Sequence, residues 1–253
     1  MSKTFTHCPK CGHKLPQAMP ADSACPVCGV YFMKWGQPGG AAARYADEAD
    51  DLPDDEQHGF LAALLQPLDK LDAASFYGRC AALAFLTVWS WFLFRYDYRT
   101  GEINASFMHN ILLPIHEAGH VFFWLFGQFL MVLGGSLFQL LLPFAISVAF
   151  IVMRRDNFGA AICFWWASVS LVDLSPYIYD ALHPQLQLVG GGTGADNGRH
   201  DWIYLLNTVG QLQHAQFWGG LAHFIGGVAM FIALAWGAFI LLRQRSHLGN
   251  GVG

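Results

Sequence analysis

Charge is what this sequence has least of. Lys, Arg, Asp and Glu together make up 13% of its 253 residues, against roughly 25% in soluble domains, which argues against an ordinary water-facing enzyme surface. The net charge of −4 is modest and says nothing about a nucleic-acid partner, and no basic face interleaved with aromatics is seen that would bind one. Residues 1–35 lack a cationic start followed by an apolar core, so no secretory signal opens the chain and the internal segments are expected to direct insertion. Cysteine is scarce after residue 28. Only Cys80 and Cys163 follow; both lie in apolar stretches and read as small hydrophobes without a chemical role. There is no internal repeat. No Gly-Lys-Ser/Thr follows the glycines near residue 190, which excludes a phosphate loop.

What is abundant is apolar and aromatic. Phe, Trp and Tyr reach 15%, and past residue 75 the apolar residues come in five blocks, at about 75–94, 107–126, 129–153, 158–182 and 217–242. A bilayer crossing takes about 20 mostly apolar residues. The expected fold is therefore an all-α polytopic membrane protein with about five transmembrane helices, behind a small N-terminal zinc ribbon. Four divisions follow: a ribbon at 1–35, an acidic disordered linker at 36–57, an interfacial helix at 58–74 and a transmembrane domain at 75–245. The linker is Gly/Ala-rich and then acidic, too polar to offset its chain entropy by burial. The segment at 58–74 is apolar but short and interrupted by Pro67, which suits a helix lying on the membrane surface. Within the third block the pair Gly134-Gly135 is expected to break the helix and leave a re-entrant piece.

The ribbon rests on two near-identical knuckles, CPKCG at 8–12 and CPVCG at 25–29. Cys8, Cys11, Cys25 and Cys28 offer four thiolates to one tetrahedral zinc, with no position left open for catalysis. A unit of about 30 residues cannot fold on a hydrophobic core alone, so the metal supplies its folding energy. A structural or protein-contacting role follows.

The second motif lies inside the apolar block FMHNILLPIHEAGHVFFWLFGQ. His116 and His120 are one helical turn apart and share a face, so both imidazoles can grip one zinc. Glu117, beside the first, can take a proton from a water whose pKa that zinc lowers. Ionisable side chains at the centre of a membrane helix cost a few kcal/mol each, so three together need a metal or partners. His109, seven residues before His116, reads as a polar lining residue, and His223, among the small residues of GGLAHFIGG, as a packing histidine.

A membrane-embedded HEAGH helix followed by a second polar helix is similar to the site-2 protease family of intramembrane zinc metalloproteases, over about residues 105–185. That family carries a later N-x-x-P…D-G motif whose Asp is the third zinc ligand. Here Asp173 stands in place of the Asn, Pro176 follows at the family's spacing, Asp180 comes one position early and Ala181 replaces the Gly. The resemblance implies Asp180 as third ligand, Glu117 as general base, and a zinc metalloendopeptidase cutting a membrane-associated polypeptide. Asp173 would then orient a ligand, while His200 and Asp201, in the GRHDW turn, are the alternative third donors if that loop dips to the site. The Gly-rich stretch before them is expected to connect flexibly or to act as a lid. A function of another class is a non-proteolytic adaptor, whose ribbon recruits a cytoplasmic partner and whose intramembrane metal is structural.

Orientation is set by two conflicting signals. With five crossings, Arg95, Arg99, Arg154, Arg155, Arg243 and Arg245 share one face, and Lys70, Arg79 and Arg199 the other. The positive-inside rule then puts the six-Arg face in the cytoplasm and the N-terminus outside, whereas thiols kept reduced for zinc belong inside. One crossing more or fewer reconciles them. The expectation is an inner (cell) membrane protein with a cytoplasmic ribbon.

Overall fold

The computed structural model describes residues 4–8, 10–32, 63–68 and 71–248; the linker expected at 36–57 lies outside them. The chain divides into two compact units, Met1–Ala63 and Leu64–Gly253.

In the first unit, strand β1 (Thr4–His7) pairs antiparallel with β2 (Lys14–Pro20), Phe5 opposite Met19. The two knuckles close in the same way. Gly12 N–H donates to Cys8 O at 3.0 Å and Gly29 N–H to Cys25 O at 2.9 Å, with the two glycines at φ +72° and +70°. That left-handed backbone is why Gly follows each Cys-x-x-Cys. The small core consists of Cys8, Leu15, Cys25 and Phe32.

The second unit is helical: α1 (Ala73–Arg95), α2 (Phe107–Phe123), α3 (Gln128–Ala149), α4 (Asn157–Asp180), α5 (Asp201–Thr208) and α6 (Ala215–Leu248). Short side chains open the helices at their free N–H groups. Asp72 accepts from Ser75 N–H, Ser106 from His109 N–H and Asp156 from Gly159 N–H. The segment 63–68 is helical only at Ala63 and Leu64 among its described residues. Its carbonyls instead receive the side-chain donors of Trp236, Arg243, Asn157 and Gln244. Residues 58–62 and 69–70 of the surface helix expected at 58–74 lie outside the described residues, and within it 65–68 are not helical, which leaves their carbonyls open to such donors.

Among the described residues, four helical stretches are long and apolar enough to cross a membrane: Ala73–Arg95, Gln128–Arg154, Asn157–Asp180 and Leu212–Ser246. Their outward faces carry Phe85, Trp91, Phe92, Phe231 and Ile232, an exterior suited to lipid rather than water. The block at 107–126 differs from expectation. Its last three residues tighten into a 3₁₀ turn and α2 keeps 17 residues, about 25 Å at 1.5 Å per residue, short of the roughly 30 Å hydrocarbon core. The third block differs too. Gly134-Gly135 does not break α3, which runs continuously through both. The pair serves close packing instead, since a Cβ on Gly134 would stand 2.7 Å from Gly119 O on α2. Any side chain there would force the two backbones apart.

The central helix is α4, with 67% of its apolar window buried, packed against α3 on one side and α6 on the other. Directions follow from who touches whom. Arg79, early in α1, makes a two-armed ion pair with Asp156 at the start of α4, at 3.0 and 2.8 Å. Tyr98, just past α1, meets Tyr179 at the end of α4, so α1 and α4 run parallel. Gly219 lies against Tyr179 and Gly237 near Ala161, so α6 runs back against α4. The α3–α4 hairpin is closed by Ser147 Oγ donating to Ala160 O at 2.8 Å. The bundle thus has an entry end, at Leu64–Leu68, Asp156 and Arg243, and a far end, at Tyr98, Gln128 and Asp180. Because α1 finishes and α3 begins at that same far end, α2 between them changes no side.

Candidate metal centre

The site assembles at the far end from α2, α3 and the start of α5. His116 Nε2 lies 3.1 Å and His120 Nε2 3.2 Å from the same oxygen, Asp201 Oδ2. One ligand atom from each of the three residues falls within 4.8 Å of the others. A tetrahedral ion with ligands at about 2.0–2.1 Å spaces its donor atoms by about 3.3 Å, close to both distances from Asp201 Oδ2.

The hydrogen bonds on the other ring nitrogens decide what these donors are. Gln139 Nε2 donates to Asp173 Oδ2 at 3.0 Å. A carboxylate only accepts, so the amide oxygen of Gln139 must face His116 Nδ1, at 3.1 Å. His116 Nδ1 therefore carries the hydrogen. His120 Nδ1 faces the Met131 carbonyl at 2.8 Å and carries one for the same reason. In neutral imidazoles both Nε2 lone pairs then point at a carboxylate oxygen. Such a convergence needs positive charge at its centre, from protons on the rings or from a metal ion. Imidazoles with Nδ1–H held by an outer acceptor are the usual form of metal-ligating histidine.

Space for an ion is left by Gly135, where a Cβ would stand 2.5 Å from His116 Nε2 and 2.6 Å from His120 Nε2. Glu117, exposed and next along α2, lines the adjoining cavity of about 360 Å³ with Asn104, Leu113, Val132, Leu188 and Arg199. Small-molecule and substrate pockets begin at about this size.

Asp201 reaches the histidines because a turn presents it. Its N–H donates to Tyr177 Oη at 3.0 Å, His200 caps α5 by accepting from Ile203 N–H at 3.4 Å, and Trp202 Nε1 donates to Ser136 Oγ on α3 at 3.2 Å. Burial alone raises the Asp201 carboxyl, but the two imidazoles facing it more than offset this and hold it below the usual carboxylate range. The first turn of a helix also favours a carboxylate.

Asp180, expected as the third ligand, is not brought to the histidines. Its carboxylate accepts from Gln185 N–H at 2.8 Å and Leu186 N–H at 3.2 Å, tying down the start of the loop that ends at Asp201. His200 is buried over Tyr177, ring centroids 4.2 Å apart. Its Nε2 stands 3.4 Å from Asp180 Oδ2 without hydrogen-bond geometry, so it belongs to this support. His109 pairs with Asp173 at 2.9 Å, and Asp173 holds Gln139. His223 is sandwiched between Phe94 and Tyr98, both centroids at 4.7 Å, as a packing histidine would be.

Gln139, Met131, Gly135 and Tyr177 carry parts of the site that sequence reasoning does not single out. Gln139 alone leaves a signal, as the one amide within the apolar run 129–153, where a polar side chain is expensive. Replacing Gln139 by Ala is expected to weaken metal binding about 10–100-fold, the usual cost of losing an outer hydrogen bond to a ligand. Titration against a chromophoric chelator measures it; unchanged affinity would remove Gln139 from the support.

In the other unit, Cys8 and Cys28 Sγ lie 3.7 Å apart, and Cys11 and Cys25 Sγ 3.8 Å. Sulfurs bound to one tetrahedral ion at about 2.3 Å sit about 3.8 Å apart, so the four cysteines are placed to hold a metal. Burial raises the Cys8 thiol, yet the N–H groups of Cys11 and Lys10 outweigh it and lower it to about 6. Replacing Cys25 by Ser is expected to cost one bound ion per chain and the chemical-shift dispersion of residues 4–32, readable by NMR. Retained dispersion with the ion gone would show that the metal does not hold this unit together.

Fold and site together define a mostly helical chain with, among the described residues, four helices fit to cross a membrane and two clusters fit to hold metal. Comparison with family models, with curated proteins and with solved structures returns no match.

Proposed function

We propose that this chain is a zinc-dependent membrane hydrolase of peptidase type, with His116, His120 and Asp201 as zinc ligands and Glu117 as general base. The observation that carries the reading is the convergence of His116 Nε2, His120 Nε2 and Asp201 Oδ2 beside a cavity that Glu117 lines. Three nitrogen and oxygen donors with one side open are the pattern of catalytic rather than structural zinc. Zinc at that point supplies Lewis acidity to a water and to the scissile carbonyl. Glu117 is placed to take the proton from that water and return it to the leaving amine. Gln139 and the Met131 carbonyl keep both Nε2 atoms free to ligate, and Leu186, Leu188 and Val189 line the cavity at the far end. The likeness to site-2 proteases then holds along the HEAGH helix, while the third donor comes from the loop beyond the polar helix instead of from Asp180.

Four crossings also reconcile the orientation signals. The entry end carries Arg79, Arg154, Arg155, Arg243 and Arg245, and the far end Arg95, Arg99 and Arg199. The positive-inside rule now puts the entry end in the cytoplasm, where the thiols of the N-terminal unit stay reduced.

Substituting Glu117 by Gln is expected to leave the metal in place and to slow cleavage of a co-reconstituted single-span reporter polypeptide by about 10²–10⁴-fold, the usual worth of a general base. Full activity in that variant would end the peptidase reading. A wild-type chain that holds both ions and cuts nothing, but captures a cytoplasmic partner through its cysteine unit, would favour the adaptor.

A further inference from the structure

We infer that the histidine site is served from the compartment opposite the one in which the chain enters the membrane, so that metal, water and the segment to be cut all reach it from the far face. The placement rests on the packing of the helices. The substrate part rests on the hydrolase reading above.

Two helices measure the depth of the site. On α3, His120 is held by Met131, three residues after Gln128, and the donor nitrogens face Gly135. On α4, the hydroxyl that positions Asp201 belongs to Tyr177, three residues before Asp180. At 1.5 Å per residue these anchors lie about 5–10 Å from the far end, while Gly135 lies nearly 30 Å from Arg154 at the other. The cavity wall continues this asymmetry. Leu186, Leu188, Val189 and Arg199, which line it, come from the connection between the far ends of α4 and α5, and Val189 is 64% exposed. No lining residue comes from the entry end. Between that end and the site stands packed helix, with Ser147, Phe158, Ala160, Ala161 and Trp165 all buried.

The consequence is a division of metal supply. The four-cysteine cluster and the histidine cluster draw on different compartments, although one chain carries both. The polypeptide cut must expose its bond at the far face, with apolar side chains to suit Leu113, Val132 and Leu188.

The test uses the full chain in sealed, right-side-out membrane vesicles, with Val189→Cys and Arg245→Cys made separately. A membrane-impermeant maleimide is added outside and the modified residues are located by peptide mass mapping. Labelling of Val189→Cys in intact vesicles, and of Arg245→Cys only after permeabilisation, is expected. Labelling of both in the same compartment, or the reverse pattern, overturns the placement. In the same vesicles external EDTA is expected to remove one of two bound zinc ions, the second leaving only on permeabilisation. Retention of both until the membrane is opened overturns the separate supply. A chain that carries no histidine-site ion before EDTA contradicts the hydrolase reading instead, and the maleimide pattern still reads the placement by itself.

Discussion

Replacing Gly135 by Ala is expected to weaken the histidine site's hold on its ion about ten- to a hundredfold without unfolding the bundle. The added methyl would stand 2.5 and 2.6 Å from the two donor nitrogens, well inside van der Waals contact, so both rings must turn away. Overpacking of this kind costs about 1–3 kcal/mol, and here it falls on the geometry of the two ligands. That corresponds to roughly a ten- to a hundredfold loss of metal affinity at 1.4 kcal/mol per decade. Gly134→Ala supplies the contrast. Its methyl meets Gly119 O at 2.7 Å and Phe123, so it separates α2 from α3 and lowers thermal stability as well. Metal content and melting temperature, measured on both variants in detergent, tell them apart. Full metal content in Gly135→Ala would mean that no ion lies beside these nitrogens.

The second large effect separates the two aspartates. Asp201→Asn removes the only carboxylate in reach of His116 and His120 among the described residues. It is expected to release the ion at any zinc concentration that keeps the wild-type site full. Asp180→Asn takes nothing from the ligand set. It weakens the hold on Gln185 and Leu186 and so loosens the turn that carries Asp201, a loss of about 1.5–3 kcal/mol for a hydrogen bond to a charged group. The expected result is a full loss of the ion in the first and a modest fall in affinity in the second. The opposite order would return Asp180 to the coordination sphere.

Much of this was legible in the apolar blocks and the two motifs, and the failures have physical causes. The run at 107–126 is apolar enough to look like a crossing, but apolarity alone does not separate a lipid-spanning helix from one that is too short to span. Pairing Tyr98 with Tyr179 settles the direction, and that pairing joins residues far apart in the chain. Gly134-Gly135 looked like a break because glycine weakens helices; in place, the missing side chains are what let α2 approach. The HEAGH spacing needed only the helical period and was readable outright. The third donor was not, because the resemblance favours Asp180 over His200 and Asp201, and only the turn built by Tyr177, His200 and Asp180 shows that Asp201 swings inward. Met131 contributes through its carbonyl, to which its side chain gives no clue.

The central claim is a metal held by His116, His120 and Asp201, and the cysteine cluster obscures it in any simple metal count. The most direct measurement is therefore zinc content, with X-ray absorption, on the full chain carrying Ser at Cys8, Cys11, Cys25 and Cys28. One zinc per chain is expected, with nitrogen and oxygen ligands at about 2.0–2.1 Å and no sulfur at about 2.3 Å. A folded chain with no bound zinc would contradict it.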